Sequence, residues 1–168
     1  MMVMDFTITN ESIISPRRWN RIKRDTYALI AKKWIDTNLR KHFTKQGARE
    51  YAYVKRDGEG ASGKGFKNSY TGMKKRVQGH TDPLRFTGRL EKEALSGSKV
   101  TNKTKHGATI VIPGRVLNLK PGKNKIDMAK EISTVSTREI QQMIQDAQQK
   151  LQSELRKGRL AKETITIR

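Results

Sequence analysis

The chain has no cysteine, only 16 acidic residues against 36 basic ones, and no long apolar run. Without cysteine, neither a disulfide framework nor a thiolate metal site can form. No apolar stretch approaches the ~18–20 residues that a membrane-spanning helix needs. The opening residues, MMVMDFTITNES, lack a basic region followed by a long apolar run, so no export signal is expected. His42, His80 and His106 sit far apart among lysines, without a second ligand at i+4 or a carboxylate in register. Neither a zinc site nor a histidine general base is expected. The acidic residues do not cluster as a metal-dependent nuclease requires, and no nucleophile motif is present. The expectation is a non-enzyme, with no catalytic residue, cofactor or metal.

What is abundant is positive charge. The 168 residues carry a net charge of +20, with 34% hydrophobic and 31% charged residues. That length suits a single domain, residues 1–168, with a modest core and sizeable polar segments. Residues 1–14 hold two acids and no base, whereas residues 15–80 hold 18 basic and 5 acidic side chains. A charge of this size implies a polyanionic neighbour or an acidic protein partner.

Between Met2 and Thr9, Met4, Phe6 and Ile8 alternate with Asp5, Thr7 and Thr9, the pattern of a half-buried strand. Ser15 then offers an N-cap and Pro16 suits the first helical position. Trp19, Ile22, Thr26, Leu29, Ile30 and Trp34 recur at helical spacing, continued by Ile35, Leu39 and Phe43. The spacing predicts a helix from about Pro16 to Lys41. Its tryptophans would anchor a core, and Arg17, Arg21, Arg24, Lys32 and Arg40 would form a solvated basic face rather than a nucleic-acid reader. Residues 44–82 are rich in Gly, Lys and Ser and predict an extended basic loop, with YAYV (Tyr51 to Val54) as a short strand or turn before it. Runs from about Ser98 to Lys103 and Ala108 to Ile112 flank a Lys-His-Gly turn and predict a β-hairpin. RVLNL reads as a further short strand and KPGKNK as a loop.

Val135 to Ile140 fits a capping box with a hydrophobic staple. Ile140, Met143, Ile144, Ala147, Leu151 and Leu155 then mark one face of a C-terminal helix, with Gly158 as its stop. The closing ETITIR alternates like an edge strand. The expected fold class is α+β: a small antiparallel sheet packed by a long N-terminal helix and a C-terminal helix, with the long basic loop.

Two features of the loop bear on chemistry. Gly58, Gly63 and Lys64 have the spacing of a phosphate loop, but Gly65 stands where a Ser or Thr would hold Mg²⁺, so a flexible loop is expected rather than a nucleotide-binding enzyme. Tyr51, Tyr53, Phe66 and Tyr70 are interleaved with Lys55, Arg56, Lys64, Lys67, Lys74, Lys75 and Arg76. Such a mixture can stack bases and neutralise phosphates. The expected reading is instead a basic loop whose aromatics pack on a neighbouring subunit, and Lys64, Phe66, Lys67, Tyr70, Lys74, Lys75 and Arg76 are the expected partner-binding residues.

The loop leads into DPLRFTGRLEKEAL, Asp82 to Leu95. Pro83 forces Asp82 toward extended geometry. Leu84 and Phe86 would share a face of an extended segment. Thr87-Gly88 would then start a short helix, with Leu90 and Leu95 pointing inward and Glu91 and Glu93 outward. In SYTGMKKR and GHTDPLRFTGRLEKEAL, the order Tyr70, Lys74, Lys75, Arg76, Gly79, His80, Pro83, Leu84, Thr87, Gly88, Leu90 resembles the tail-completion or neck proteins of tailed bacteriophages. The motif lies in the central third of the chain, and the remainder is similar in layout except for the N-terminal strand and the ETITIR tail, which have no counterpart in that pattern. The resemblance implies a non-catalytic, head–tail joining protein. It would form a homo-oligomeric ring between capsid portal and tail and contact other neck and tail proteins, with non-specific contact to genomic DNA in the channel. It would act in the virion, after assembly in the host cytoplasm, with no membrane partner. The competing class is a ribosomal- or chromatin-like nucleic-acid binder.

Overall fold

The Ser15 cap forms as its sequence predicts: the Arg18 amide donates to Ser15 Oγ at 3.4 Å, and a helix, α1, runs Pro16–Thr37. In this computed structural model, residues 2–3, 15–85, 87–114 and 126–157 are described. The fold is α+β, and its described residues fall into two compact units. Unit 1 draws on Met1–Asp36, Ser98–Ile112 and Thr137–Arg168; unit 2 draws on Thr37–Gly97 and Pro113–Ser136.

Unit 1 contains α1, a small sheet and the C-terminal helix α7, Thr137–Lys157. Strand β2, Lys99–Thr101, pairs antiparallel with β3, Thr109–Val111, placing Val100 opposite Ile110. This is the hairpin read from the sequence. Strand β1, Met2–Val3, pairs antiparallel with the other edge of β3, giving the order β1-β3-β2. Residues 4–9 of the expected first strand, the RVLNL strand, the KPGKNK loop, Gly158 and ETITIR lie outside the described residues.

The core of unit 1 takes Ile22, Tyr27, Ile30, Ala31 and Trp34 from α1, Ala108 and Ile110 from the hairpin, and Met143, Ala147, Leu151 and Leu155 from α7. Leu29, expected on the buried stripe, is 43% exposed, because Tyr27 and Ala31 turn inward in its place. On α7 the buried positions follow the i, i+4 row through Glu139, Met143, Ala147, Leu151 and Leu155. Ile140 lies one residue off that row and stays exposed, and Ile144 is half-buried. Lys33 Nζ donates to Asp146 Oδ1 at 2.6 Å, tying α1 to α7, and Gln142 Nε2 supports the same carboxylate at 3.2 Å.

Unit 2 begins where α1 stops, four residues short of the expected end at Lys41. Past Thr37 the chain tightens into a 3-10 turn, Leu39–Phe43, and the Lys41 amide bonds the Asn38 carbonyl at 2.9 Å. Leu39, His42 and Phe43 are thereby all buried, adjacent His42 and Phe43 included. Residues 44–82 are not one extended loop. They hold α2, Lys45–Glu50, α3, Gly63–Lys67, and α4, Tyr70–Gln78. Each of α2 and α4 is capped from its own sequence: Thr44 Oγ1 accepts from the Gly47 amide at 3.0 Å, and Ser69 Oγ accepts from the Gly72 amide at 3.1 Å. Gly79, at φ 75°, ends α4 in the left-handed conformation that glycine adopts at little cost. α5, Arg89–Gly97, and α6, Met128–Ser133, complete the unit.

The α3–α4 corner depends on Gly72. A Cβ there would lie 1.8 Å from the Phe66 carbonyl oxygen. Relief requires α4 to back away from α3, so Gly72→Ala is expected to cost about 1–3 kcal/mol by overpacking. Urea unfolding checks this: a midpoint equal to the parent's would mean the corner is not closely packed.

Candidate functional site

The residues singled out by the sequence all belong to unit 2, where three local devices place them. Asp57 closes the segment: its carboxylate accepts from the Tyr70 amide at 3.1 Å, and its carbonyl accepts from Thr71 Oγ1 at 2.6 Å. The α3 turn is held inside that closure. Arg56, beside it, anchors to α6. Arg56 Nη2 meets Glu131 Oε2 at 2.5 Å and Arg56 Nη1 meets Oε1 at 2.8 Å, a bidentate pair with side chains 15% and 8% exposed. The same Nη1 donates to the Val54 carbonyl at 2.6 Å, and the Val54 amide donates to Glu131 Oε1 at 3.2 Å. Burial alone would depress the Arg56 pKa. The hydrogen bonds and charge of Glu131, helped by Glu59 and Tyr70, outweigh it and hold the guanidinium above its ordinary value.

The third device is aromatic. His42 stacks on Tyr51 with ring centroids 3.9 Å apart and planes 4° from parallel, and its Nδ1 lies 2.5 Å from the Tyr53 hydroxyl. Tyr51 and Tyr53 therefore pack within the unit instead of offering stacking platforms. YAYV is the turn that brings them there, with Ala52 at φ 50°.

Around these supports opens a hollow of about 540 Å³. Its floor and walls include Ala48, Ala52, Val54, Phe66 and Pro83; its cations are Lys45, Arg49, Lys55, Arg56 and Lys75, against one acid, Glu59. With Arg56 paired to Glu131, the other four cations give the hollow its positive character.

Of the expected partner-binding residues, Phe66 and Lys75 line this hollow. Lys64, Lys67 and Arg76 are exposed elsewhere on α3 and α4, and Tyr70 is 41% exposed. Lys74 does not belong with them. It is 5% exposed and donates to the Asp82 carbonyl, and burial lowers its pKa against the raising effect of Asp82. It fastens the end of α4 to the following turn.

Pro83 and Leu84 are buried, but Leu84 sits at φ 51°, so the chain turns there instead of running extended. Phe86 lies outside the described residues. Gly88, at φ 79°, leads into α5, where Leu90 is buried; Thr87 is exposed and its Oγ1 accepts from the Arg89 amide at 3.4 Å. Glu91 and Glu93 pair with Arg85 at 2.9 Å and Arg89 at 2.7 Å. Gly63 and Lys64 of the near phosphate loop fall within the short α3. Among the described residues, no helix is long and apolar enough to cross a membrane, and no group of three or more His, Asp or Glu could hold a metal ion.

Sequence reasoning missed Glu131 and His42. Glu131 stands 75 positions from Arg56, with no local pattern to link them. His42 carried a usable signal, since it follows the last turns of a buried stripe.

No protein-family model, characterised protein or solved structure matches the chain.

Proposed function

We propose that this chain is a structural protein of the bacteriophage neck. It forms an oligomeric ring that joins the portal–adaptor complex to the tail around the DNA channel, and it is carried in the virion after assembly in the host cytoplasm. The observation that carries this reading is the hollow of unit 2, where apolar walls meet unpaired-sign cations beside the motif Tyr70 to Leu90 that resembles neck proteins. Protein interfaces combine an apolar centre with a polar rim. The supports of the hollow, the Arg56–Glu131 pair and the His42–Tyr51 stack, fix a surface in place.

The second reading is a nucleic-acid binder. It is favoured by residues 60–81, which hold five basic side chains and no acid. Salt separates the two, because it acts with opposite signs. Subunits that each carry +20 repel one another, and screening that repulsion promotes self-association. Phosphate contacts, in contrast, weaken steeply as salt rises.

Sedimentation and negative-stain microscopy of the purified protein from 50 to 500 mM salt should show closed rings forming as salt rises. A 20-bp duplex titrated over the same range should bind weakly, without sequence preference, and lose at least tenfold in affinity between 50 and 200 mM. A protein that stays monomeric throughout and holds a specific duplex at nanomolar affinity in 150 mM salt would refute the neck reading.

A further inference from the structure

α4 turns one face inward and another outward. Thr71, Gly72 and Lys74 are buried. Tyr70, Met73 and Val77, at i, i+3 and i+7, form one outward stripe and are 41%, 40% and 62% exposed. Thr71 and Lys75 line the hollow from the same helix, whereas Tyr70, Met73 and Val77 do not. Exposed apolar side chains are ordinary when scattered, but a row along one helix marks a contact surface.

The charge around the stripe selects what can cover it. Residues 60–81 contain no Asp or Glu, and the Asp57 carboxylate at the start of α4 is engaged by the Tyr70 amide at 3.1 Å. Among the described residues, Lys64, Lys67 and Arg76 make no ion pair. A second copy of the same surface would set these cations against themselves. A nucleic acid would satisfy them but would press Met73 and Val77 against phosphates, with no base-stacking ring at either position. An acidic protein segment satisfies both features at once.

We propose that α4 is the docking helix for an acidic amphipathic segment of another protein. The segment's apolar side chains pack on Tyr70, Met73 and Val77, and its flanking carboxylates meet Lys67 and Arg76. α4 runs Tyr70–Gln78, about 13 Å of helix, so the partner contributes two to three turns. A contact this small is weak alone and gains strength when several copies are held together. The docking itself does not require a ring, and its test is independent of ring formation.

The test uses the full chain in 150 mM salt with three fluorescent probes. These are a helical 18-residue Glu/Ala/Leu peptide with leucines at three- and four-residue spacing, a scramble of the same composition, and a 20-bp duplex. The helical peptide is expected to bind at micromolar Kd, at least tenfold tighter than the scramble. The double variant Met73→Gln/Val77→Gln removes apolar surface without changing charge; it should lose at least tenfold in peptide affinity while keeping the parent's melting temperature and duplex affinity. Equal binding of peptide and scramble, or of parent and variant, overturns the proposal. So does no peptide binding at 100 µM. A parent dimer dispersed by the double variant would assign the stripe to self-association, and a duplex whose affinity falls with the variant would assign it to nucleic acid; either result also overturns it.

Discussion

Replacing Glu131 with Ala is expected to destabilise unit 2 by about 3–5 kcal/mol, the usual cost of removing one partner from a buried ion pair. The Arg56 guanidinium, with a side chain 15% exposed, would lose both Glu131 oxygens and keep the Val54 carbonyl and whatever water reaches it. The Val54 amide would lose its acceptor in the same step. For a chain of this size the melting temperature should fall by roughly 10 °C or more. The double variant Arg56→Met/Glu131→Leu is expected to recover most of the loss, because an apolar pair of similar volume leaves no buried charge. Circular dichroism melts of the two single variants and the double variant complete the cycle. If Glu131→Ala melts with the parent, the pair is a surface contact and the hollow lacks the rigid wall assigned to it. Binding should follow stability: the same variant would loosen Val54 and Arg56, both of which line the hollow.

How much of this was legible in the sequence differs from element to element. The Ser15-Pro16 start of α1, the hairpin around Lys105-His106-Gly107 and the start of α7 after Ser136 all follow from signals within a few residues. Ser136 itself donates to Glu50 Oε1 at 3.0 Å, a contact across 86 positions that no capping pattern foretells. The basic segment 44–82 was misread for a physical reason. Its glycines and lysines suggest too little apolar burial to order it, but the order comes from hydrogen bonds instead. Thr44 and Ser69 cap helices, Asp57 closes a loop, and Gly47 and Gly72 permit backbone approaches that any Cβ would block. Ser69 and Gly79 bracket Tyr70, Met73 and Val77 at helical spacing, a local signal for α4 that composition masks. Of the seven expected partner-binding residues, Phe66 and Lys75 line the hollow, whereas Lys74 is buried; sequence gives no sign that a lysine turns inward. Arg56–Glu131 and His42–Tyr51–Tyr53 depend on non-local packing and leave no periodic trace.

His42 should make the fold sensitive to mild acid. It is fully buried on Tyr51 and Tyr53, and its pKa is lowered from 6.5 to about 4. Desolvation is the main cause; the Lys41 charge adds to it, and a hydrogen bond with the Glu131 main chain opposes it. The unfolded chain therefore binds a proton near pH 6.5 that the folded chain refuses until about pH 4. Because the unfolded state holds more protons in that window, stability falls as pH falls. Nothing is lost above about pH 7, roughly 2 kcal/mol is lost by pH 5, and about 3 kcal/mol below pH 4, taking 1.36 kcal/mol per pKa unit. The measurement is urea unfolding at pH 7 and pH 5, where the carboxylates still carry most of their charge. His42→Phe keeps a ring against Tyr51 but cannot titrate. It should be less stable than the parent at pH 7, since the Tyr53 hydroxyl loses its partner at 2.5 Å, yet lose about 2 kcal/mol less on going to pH 5. Parallel pH profiles for parent and variant would place the acid sensitivity elsewhere and show that the His42 ring tolerates its charge in the folded protein.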